Sequence, residues 1–354
     1  MATKSQSKRK GRGALSNLLL QDRNAQPPAP LVDSDYFPEQ LFPAAAEVGN
    51  SYLADTARGY SRMASKRVVI GGLARDLGGI IDSTIARIER LGRLFADYRV
   101  VIYENDSEDQ TRPKLQEWGL RNPRVLLQTE NLDTPVNQSD RSIGRAQRMA
   151  YYRRQCHREI CQRFGNFDNV VLVDMDLEGG WSFDGVANTF GKNEWDFVGS
   201  NGVIYRRHRL DLNRLVHFDA WAYRTDEAFS PKTTAEVNAL SHVRGESMVP
   251  VTSCFGGLGV YRMDAFQAGE YDEHATDMEH VPFHRSMRNR GFGRTFLNPS
   301  QIVLYGRRHR TYDQYAVRVR QFMDRILGRQ VSDCLFERGV TQLRDQLCEQ
   351  RRVA

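Results

Sequence analysis

The sequence predicts an α/β fold in which a mostly parallel sheet is flanked by helices. Three observations point there. Short, fully apolar runs recur along the chain. They alternate with stretches whose apolar residues return every three or four positions, and polar residues gather where the runs end. A strand without a polar face belongs in a sheet covered on both sides, the setting of parallel strands. The chain has 354 residues, 40% apolar and 27% charged, enough for one large core or two modest ones. That excludes a small disulfide-stapled scaffold and a mainly disordered chain.

Residues 1–30 are basic and then Pro-rich (Pro27, Pro28, Pro30), which predicts a disordered tail. Five of the six net positive charges lie in residues 1–12, on Lys4, Lys8, Arg9, Lys10 and Arg12, so the folded body is nearly neutral. Such a tail solubilises, and it could contact nucleic acid. Residues 31–65 are mixed, with turn signals at Pro38, Pro43 and Gly49. Val68-Val69-Ile70 predicts the first strand, ending at Gly71-Gly72, and Ile81, Ile85, Ile88, Leu91 and Phe95 trace a helical face. A second run, Arg99 to Tyr103, is closed by the acidic stretch from Glu104 to Asp109. A helix around Pro113 to Trp118 leads to a third run, Val125-Leu126-Leu127. A long helix over about 140–164 turns Ile143, Ala146, Met149, Ile160 and Phe164 inward, and the runs Val170 to Val173 and Trp195 to Val198 follow. Tyr315, Val319, Phe322, Ile326, Leu335, Leu343 and Leu347 predict a helical C-terminal extension over 313–354. The five cysteines form no C-x-x-C pair, and no stretch approaches the ~20 apolar residues of a membrane span. A cytoplasmic protein is expected.

In open α/β sheets ligands sit beyond the carboxyl ends of the strands. The strongest motif at such an end is Asp174-x-Asp176 after Val170 to Val173. Strand side chains alternate, so both aspartates are expected on one face. Two neighbouring carboxylates repel unless a cation or a proton lies between them, which suits Mg²⁺ or Mn²⁺ held together with phosphate oxygens. An acidic turn capping the next helix is the plainer alternative. The stretch Glu104-Asn105-Asp106-Ser107-Glu108-Asp109 reads either as a helix-capping loop or as a grip on ribose hydroxyls and base edges. Gly256-Gly257-Leu258-Gly259 matches no phosphate-loop pattern and reads as a bend or a backbone floor under a ligand. Asp277 and Glu279 precede a helix with Pro282 in its first turn, where an acid suits the dipole and could serve as a base. His280 and His284 stand four apart, but in the order E-H-x-x-x-H, which argues against zinc. Arg307, Arg308 and Arg310 bracket His309 and form either a basic turn or a clamp on a diphosphate. Trp181, Trp221 and Tyr223 are candidate sugar platforms or core residues.

Taken in order, Val69 to Asp76, Tyr103 to Thr111, Val173 to Asp176, Asp196 to Gly202 and Glu279-His280-Val281 resemble nucleotide-sugar glycosyltransferases of the GT-A (Rossmann-like) fold. In detail they look like the fungal capsule-associated α-1,3-mannosyltransferase family and its bacterial and viral relatives. The match runs from Lys66 to Arg310, inside one domain over 31–312 with a nucleotide half at about 66–180 and an acceptor half at about 181–312. The resemblance implies that Gly72, Arg75 and Asp76 line the nucleotide pocket and that Glu104, Asp106 and Asp109 face the nucleoside. It implies that Asp174, Asp176 and His309 hold Mn²⁺ or Mg²⁺. Gly256, Gly257 and Arg307 would meet the donor, and Glu279 or Asp277 would supply the base. The family's membrane anchor is missing, in keeping with a cytoplasmic role. The expected function is transfer of a sugar from a nucleotide-diphosphate donor, GDP-mannose or a UDP-sugar, to a glycan or other acceptor hydroxyl. A metal-dependent phosphoesterase or nuclease is one alternative. A nucleic-acid-binding module using residues 1–12 is another, and the two ideas combine in a glycosyltransferase that modifies nucleic acid.

Overall fold

The computed structural model describes residues 36–134, 142–208, 211–306 and 326–327, with the backbone alone for 206–208 and 211–214. Arg307, His309, the basic N-terminal segment and nearly all of the predicted C-terminal extension lie outside them. The described chain is built on one ten-stranded sheet. Strands β3 (Val125–Glu130), β2 (Asp97–Asn105), β1 (Arg67–Ala74) and β4 (Asn169–Asp174) lie side by side and parallel. β9 (Leu258–Arg262) runs against β4 on one side and against β6 (Phe197–His208) on the other. β10 (Thr295–Leu304) is parallel to β6, so six strands share one direction. The short strands β5 (Gly180–Trp181) and β8 (Val249–Pro250) run against β10, and β7 (Asp211–His217) runs against β6.

The apolar runs are continuous because both faces of the sheet are covered. Val68 and Ile70 join one core with Val100, Ile102, Val171 and Val173, closed by Ile81, Ile85, Ile88 and Leu91 of α2 (Ile81–Gly92). Val69 faces the other way, into a core with Val101, Val170 and Leu172, closed by Tyr152, Cys156 and Ile160 of α4 (Ile143–Phe164). Each such aliphatic side chain contributes about 1.5–3 kcal/mol of transfer free energy when fully buried. Ser142 caps α4 by accepting a hydrogen bond from the Arg145 amide at 3.3 Å. The predicted helix around Pro113 is α3 (Thr111–Arg121).

Two parts of the fold differ from the sequence reading. The mixed segment before Lys66 contains a 15-residue helix, α1 (Gly49–Met63), laid against α5 (Phe183–Gly191). Their backbones touch: a Cβ on Gly59 would stand 1.6 Å from the Ala187 carbonyl oxygen, and one on Gly191 1.9 Å from that of Asp55. The helix was hidden because its buried residues, Tyr52, Thr56, Gly59 and Met63, include a polar residue and a glycine and give no apolar stripe. Further, β4 ends at Asp174, so Asp176 lies in the following turn and strand alternation does not orient it.

Candidate active site

A cleft of about 590 Å³ opens at the carboxyl ends of β1, β2 and β4, the size of an ordinary ligand site. Leu73, Ala74 and Arg75 come from the end of β1, Asn105 from β2, and Asp174 to Asp176 from β4. Helix α4 contributes Arg145, Met149, Tyr152 and Arg153, the segment after β7 contributes Phe218 to Ala222, and the start of α8 (His280–Asn289) contributes Met278 to His280. A second hollow, at the amino end of β4 and the carboxyl end of β9, is walled by Arg62, Lys66, Lys192, Arg262 and Arg294, whose side chains are already paired with carboxylates or carbonyls.

Its centre is an ion-paired triad. Arg153 is buried and donates through Nη2 to Asp174 Oδ1 at 2.9 Å and through Nε to Glu279 Oε1 at 3.2 Å, with its guanidinium 4.9 Å from the centre of the Phe255 ring. Tyr305 donates to the other Asp174 oxygen at 3.3 Å. Burial pushes the Asp174 carboxyl up to about 6; Arg153 pulls against this and the charge of Asp176 adds to it. Asp176 reaches solvent at the cleft mouth, yet the walls crowd it enough that lost hydration raises its carboxyl too, while Arg153 and Arg145 draw it down. The two aspartates thus share the cleft and repel one another, and a divalent cation would relieve that repulsion. Among the described residues no three His, Cys, Asp or Glu side chains gather into a complete metal cage. A hard cation at this place would take its other ligands from water and phosphate oxygens.

Asp219 is the carboxylate that the sequence reading missed. Its Oδ2 accepts from the Phe255 and Gly256 amides at 2.7 and 3.0 Å, yet burial, helped by the charge of Asp174, drives it up to about 7. The glycines serve this arrangement. Gly256 and Gly257 hold φ of +64° and +86°, and a Cβ on Gly256 would meet the Ser200 carbonyl oxygen at 2.1 Å. Arg145 was also missed; its guanidinium stands 4.8 Å from the centre of the Trp221 ring. Trp221 lines the cleft, whereas Trp181 and Tyr223 are core residues.

Other expected residues take structural places. Asp106, at φ +53°, accepts from the Leu132 and Asp133 amides at 2.7 and 3.0 Å and from the Thr134 hydroxyl at 2.7 Å. Burial works to raise its carboxyl, but these bonds and the one from Asn105 win and hold it well below the usual range. Asp109 accepts from the Gly78 and Thr111 amides at 2.6 and 2.8 Å, and its carboxyl is likewise lowered in spite of burial. Glu104 is fully buried against Arg112, and Asp76 is exposed, accepting from the Glu108 amide at 2.9 Å. None of these four lines the cleft; Asn105 and Arg75 do. Arg75 is itself tied to the Thr134 carbonyl at 2.8 Å. Gly72 lies beneath the cleft floor, where a Cβ would meet Met175 Sδ at 2.8 Å. Asp277 does not line the cleft: it takes two bonds from buried Arg224 at 2.8 and 3.1 Å. His280 lines the cleft, stacked 4.0 Å from Phe255 with neither ring nitrogen hydrogen-bonded among the described residues, while both nitrogens of His284 are engaged by Ser253 and Tyr261. The two histidines therefore share no metal.

Fold and cleft together define an α/β protein with a cleft holding acidic and basic side chains at the carboxyl edge of its sheet. No protein-family model and no curated protein matches the chain. Among solved structures it is similar to the mannosyltransferase PcManGT from Pyrobaculum calidifontis in complex with GDP-Man and Mn²⁺, at 14% identity over 78% of this chain and 71% of that one, with a TM-score of 0.42. It is similar to GalNAc-T7 with UDP, GalNAc and Mn²⁺, at 11% identity over 70% of this chain and 45% of that one, TM-score 0.41. It is also similar to S. aureus TarS 1-349, at 11% identity over 76% and 68%, TM-score 0.39.

Proposed function

We propose that the chain is a metal-dependent glycosyltransferase that moves a sugar from a nucleotide-diphosphate donor, GDP-mannose or a UDP-sugar, to an acceptor hydroxyl. The observation that carries this is the convergence of Asp174 and Asp176 at the tip of β4 with Arg145 and Arg153 in a single cleft. A cleft in which paired acids stand beside guanidinium groups suits a diphosphate bridged to a cation. Asp174 and Asp176 would hold Mn²⁺ or Mg²⁺. A bound divalent ion would supply charge neutralisation on the departing diphosphate. Arg145 adds to that neutralisation from the Trp221 wall, the role expected of Arg307, which lies outside the described residues. Asn105 and Arg75 stand at the far strand ends, where the nucleoside would lie. Two carboxylates of the cleft can take the acceptor proton. Glu279 is fixed by Arg153; Asp219, at about 7, matches what a base needs at neutral pH.

The test is a thermal-shift series of nucleoside diphosphates with Mn²⁺. One nucleotide should stand out, since a ligand at ~100 times its Kd adds ~2.7 kcal/mol. Asp174→Asn combined with Asp176→Asn should abolish both this shift and sugar transfer while leaving the far-ultraviolet spectrum unchanged. Turnover retained by that double variant would remove the metal role and the reading with it.

A further inference from the structure

The geometry points to a second metal site, formed by His217 and His242, that takes zinc or another transition ion of the same borderline class. His217 ends β7, one residue before the cleft wall at Phe218, and His242 lies in the loop after α6 (Thr234–Asn238). His217 is 2% exposed. Its Nδ1 stands 3.0 Å from Asn201 Oδ1, and Asn201 uses its Nδ2 to donate to the Pro299 carbonyl at 3.4 Å. The amide is thereby oriented with its oxygen toward the imidazole, so Nδ1 of His217 carries the proton and Nε2 presents a bare lone pair. Holding a histidine by its other N–H on a carbonyl is how metal-ligating imidazoles are fixed.

That lone pair is buried and has no hydrogen-bond partner among the described residues, and the same is true of Nε2 of His242. The two rings lie 5.4 Å apart between centres at 78°. Two imidazoles on one tetrahedral ion, with bonds of about 2.1 Å, set their ring centres roughly 5 Å apart. Burial holds both rings toward the neutral form, the one that ligates. Among the described residues no third His, Cys, Asp or Glu joins the pair, so water completes the shell. The two imidazole nitrogen donors separate this site from the oxygen-only pair in the cleft. An ion here would pin the end of β7 to the loop carrying His242 and so steady the Phe218 to Ala222 wall.

The test uses the full-length, chelator-treated protein titrated with Co²⁺ in excess Mg²⁺, which saturates oxygen sites. One equivalent of Co²⁺ should develop the intense visible band of tetrahedral nitrogen ligation and lose it to Zn²⁺. His242→Gln, at a partly exposed position, should weaken binding by about 10-fold or more. Asp174→Asn with Asp176→Asn should leave it unchanged, so failure here is distinct from failure of the cleft reading. A wild-type protein without a Zn²⁺-displaceable band, or a folded His242→Gln that binds as tightly, overturns the site. Imidazole ¹⁵N spectra of the wild type give a second decision that needs no variant. Zn²⁺ should move the Nε2 resonances of two of the eight histidines, and movement of neither overturns the proposal.

Discussion

A single side chain, Arg153, holds the site together electrostatically. It is the cation between two carboxylates, Asp174 and Glu279, of which Glu279 is nearly as buried as Arg153 itself. Removing one partner of a buried ion pair leaves the other charge without compensation and typically costs 3–5 kcal/mol. Arg153→Met should therefore lower the unfolding free energy by about 3 kcal/mol at pH 8. The sign of its pH dependence follows from Asp174. With the guanidinium gone, that carboxyl rises further above its ordinary value, and protonating it removes the uncompensated charge. The deficit of the variant should thus shrink as pH falls from 8 to 5. Urea melts at the two pH values measure this, and an equal deficit at both would show that Arg153 acts through packing alone. The residue was readable in principle: it falls on the inward stripe of α4 with Ala146, Met149 and Ile160, where a charged side chain needs a buried partner.

At the scale of elements, the contact between α1 and α5 is the most exacting in the molecule, because backbone meets backbone without side chains between. Gly59→Val places two methyl groups where the Ala187 carbonyl lies and should force the helices apart, at a cost of about 2–3 kcal/mol. Chemical denaturation checks this; a loss under 1 kcal/mol, the ordinary propensity range for an exposed helix position, would show that α1 is not docked as described. The first four strands were legible because each carries an uninterrupted apolar run: Val68 to Ile70, Val100 to Ile102, Val125 to Leu127 and Val170 to Val173. β10 was not, because Asn298, Ser300 and Gln301 occupy buried positions on it. Asn298 reaches Thr189 at 2.8 Å and Gln301 reaches Ser200 at 2.9 Å, so the polar groups satisfy one another and erase the hydrophobic signal. β9 read as a glycine bend for a similar reason, since Gly259, its second residue, lies against the Phe197 ring. The site divides in the same way. Asp174 and Asp176 declared themselves by being local to one strand end. Asp219, Arg145 and Arg153 acquire meaning only when β7, α4 and β4 converge, which local spacing does not encode.

For the whole molecule, stability against pH is a sum of opposed contributions that a single melt cannot separate. Buried histidines such as His217 and His284, both lowered to about 3, resist protonation in the fold, so they favour the folded state increasingly as pH rises to about 6.5. The cleft acids act in the reverse sense. Asp219 is raised to about 7, so between about 4 and 7 the folded protein holds a proton that the unfolded chain has released, and stability drains away as pH rises through that window. The histidine contribution is common to wild type and Asp219→Asn and cancels in their difference. The amide can still accept from the Phe255 and Gly256 backbone through one oxygen, as Oδ2 does. The variant should therefore gain on the wild type as pH climbs from 5 to 8, by at least about 1 kcal/mol. Parallel stability curves would place the titration of Asp219 near its ordinary value and withdraw it as a base. Sugar transfer supplies the complementary readout: if Asp219 takes the acceptor proton, the same substitution lowers kcat at least ~10²-fold while Mn²⁺ and nucleotide still bind, because Asp219 is not one of the proposed metal ligands.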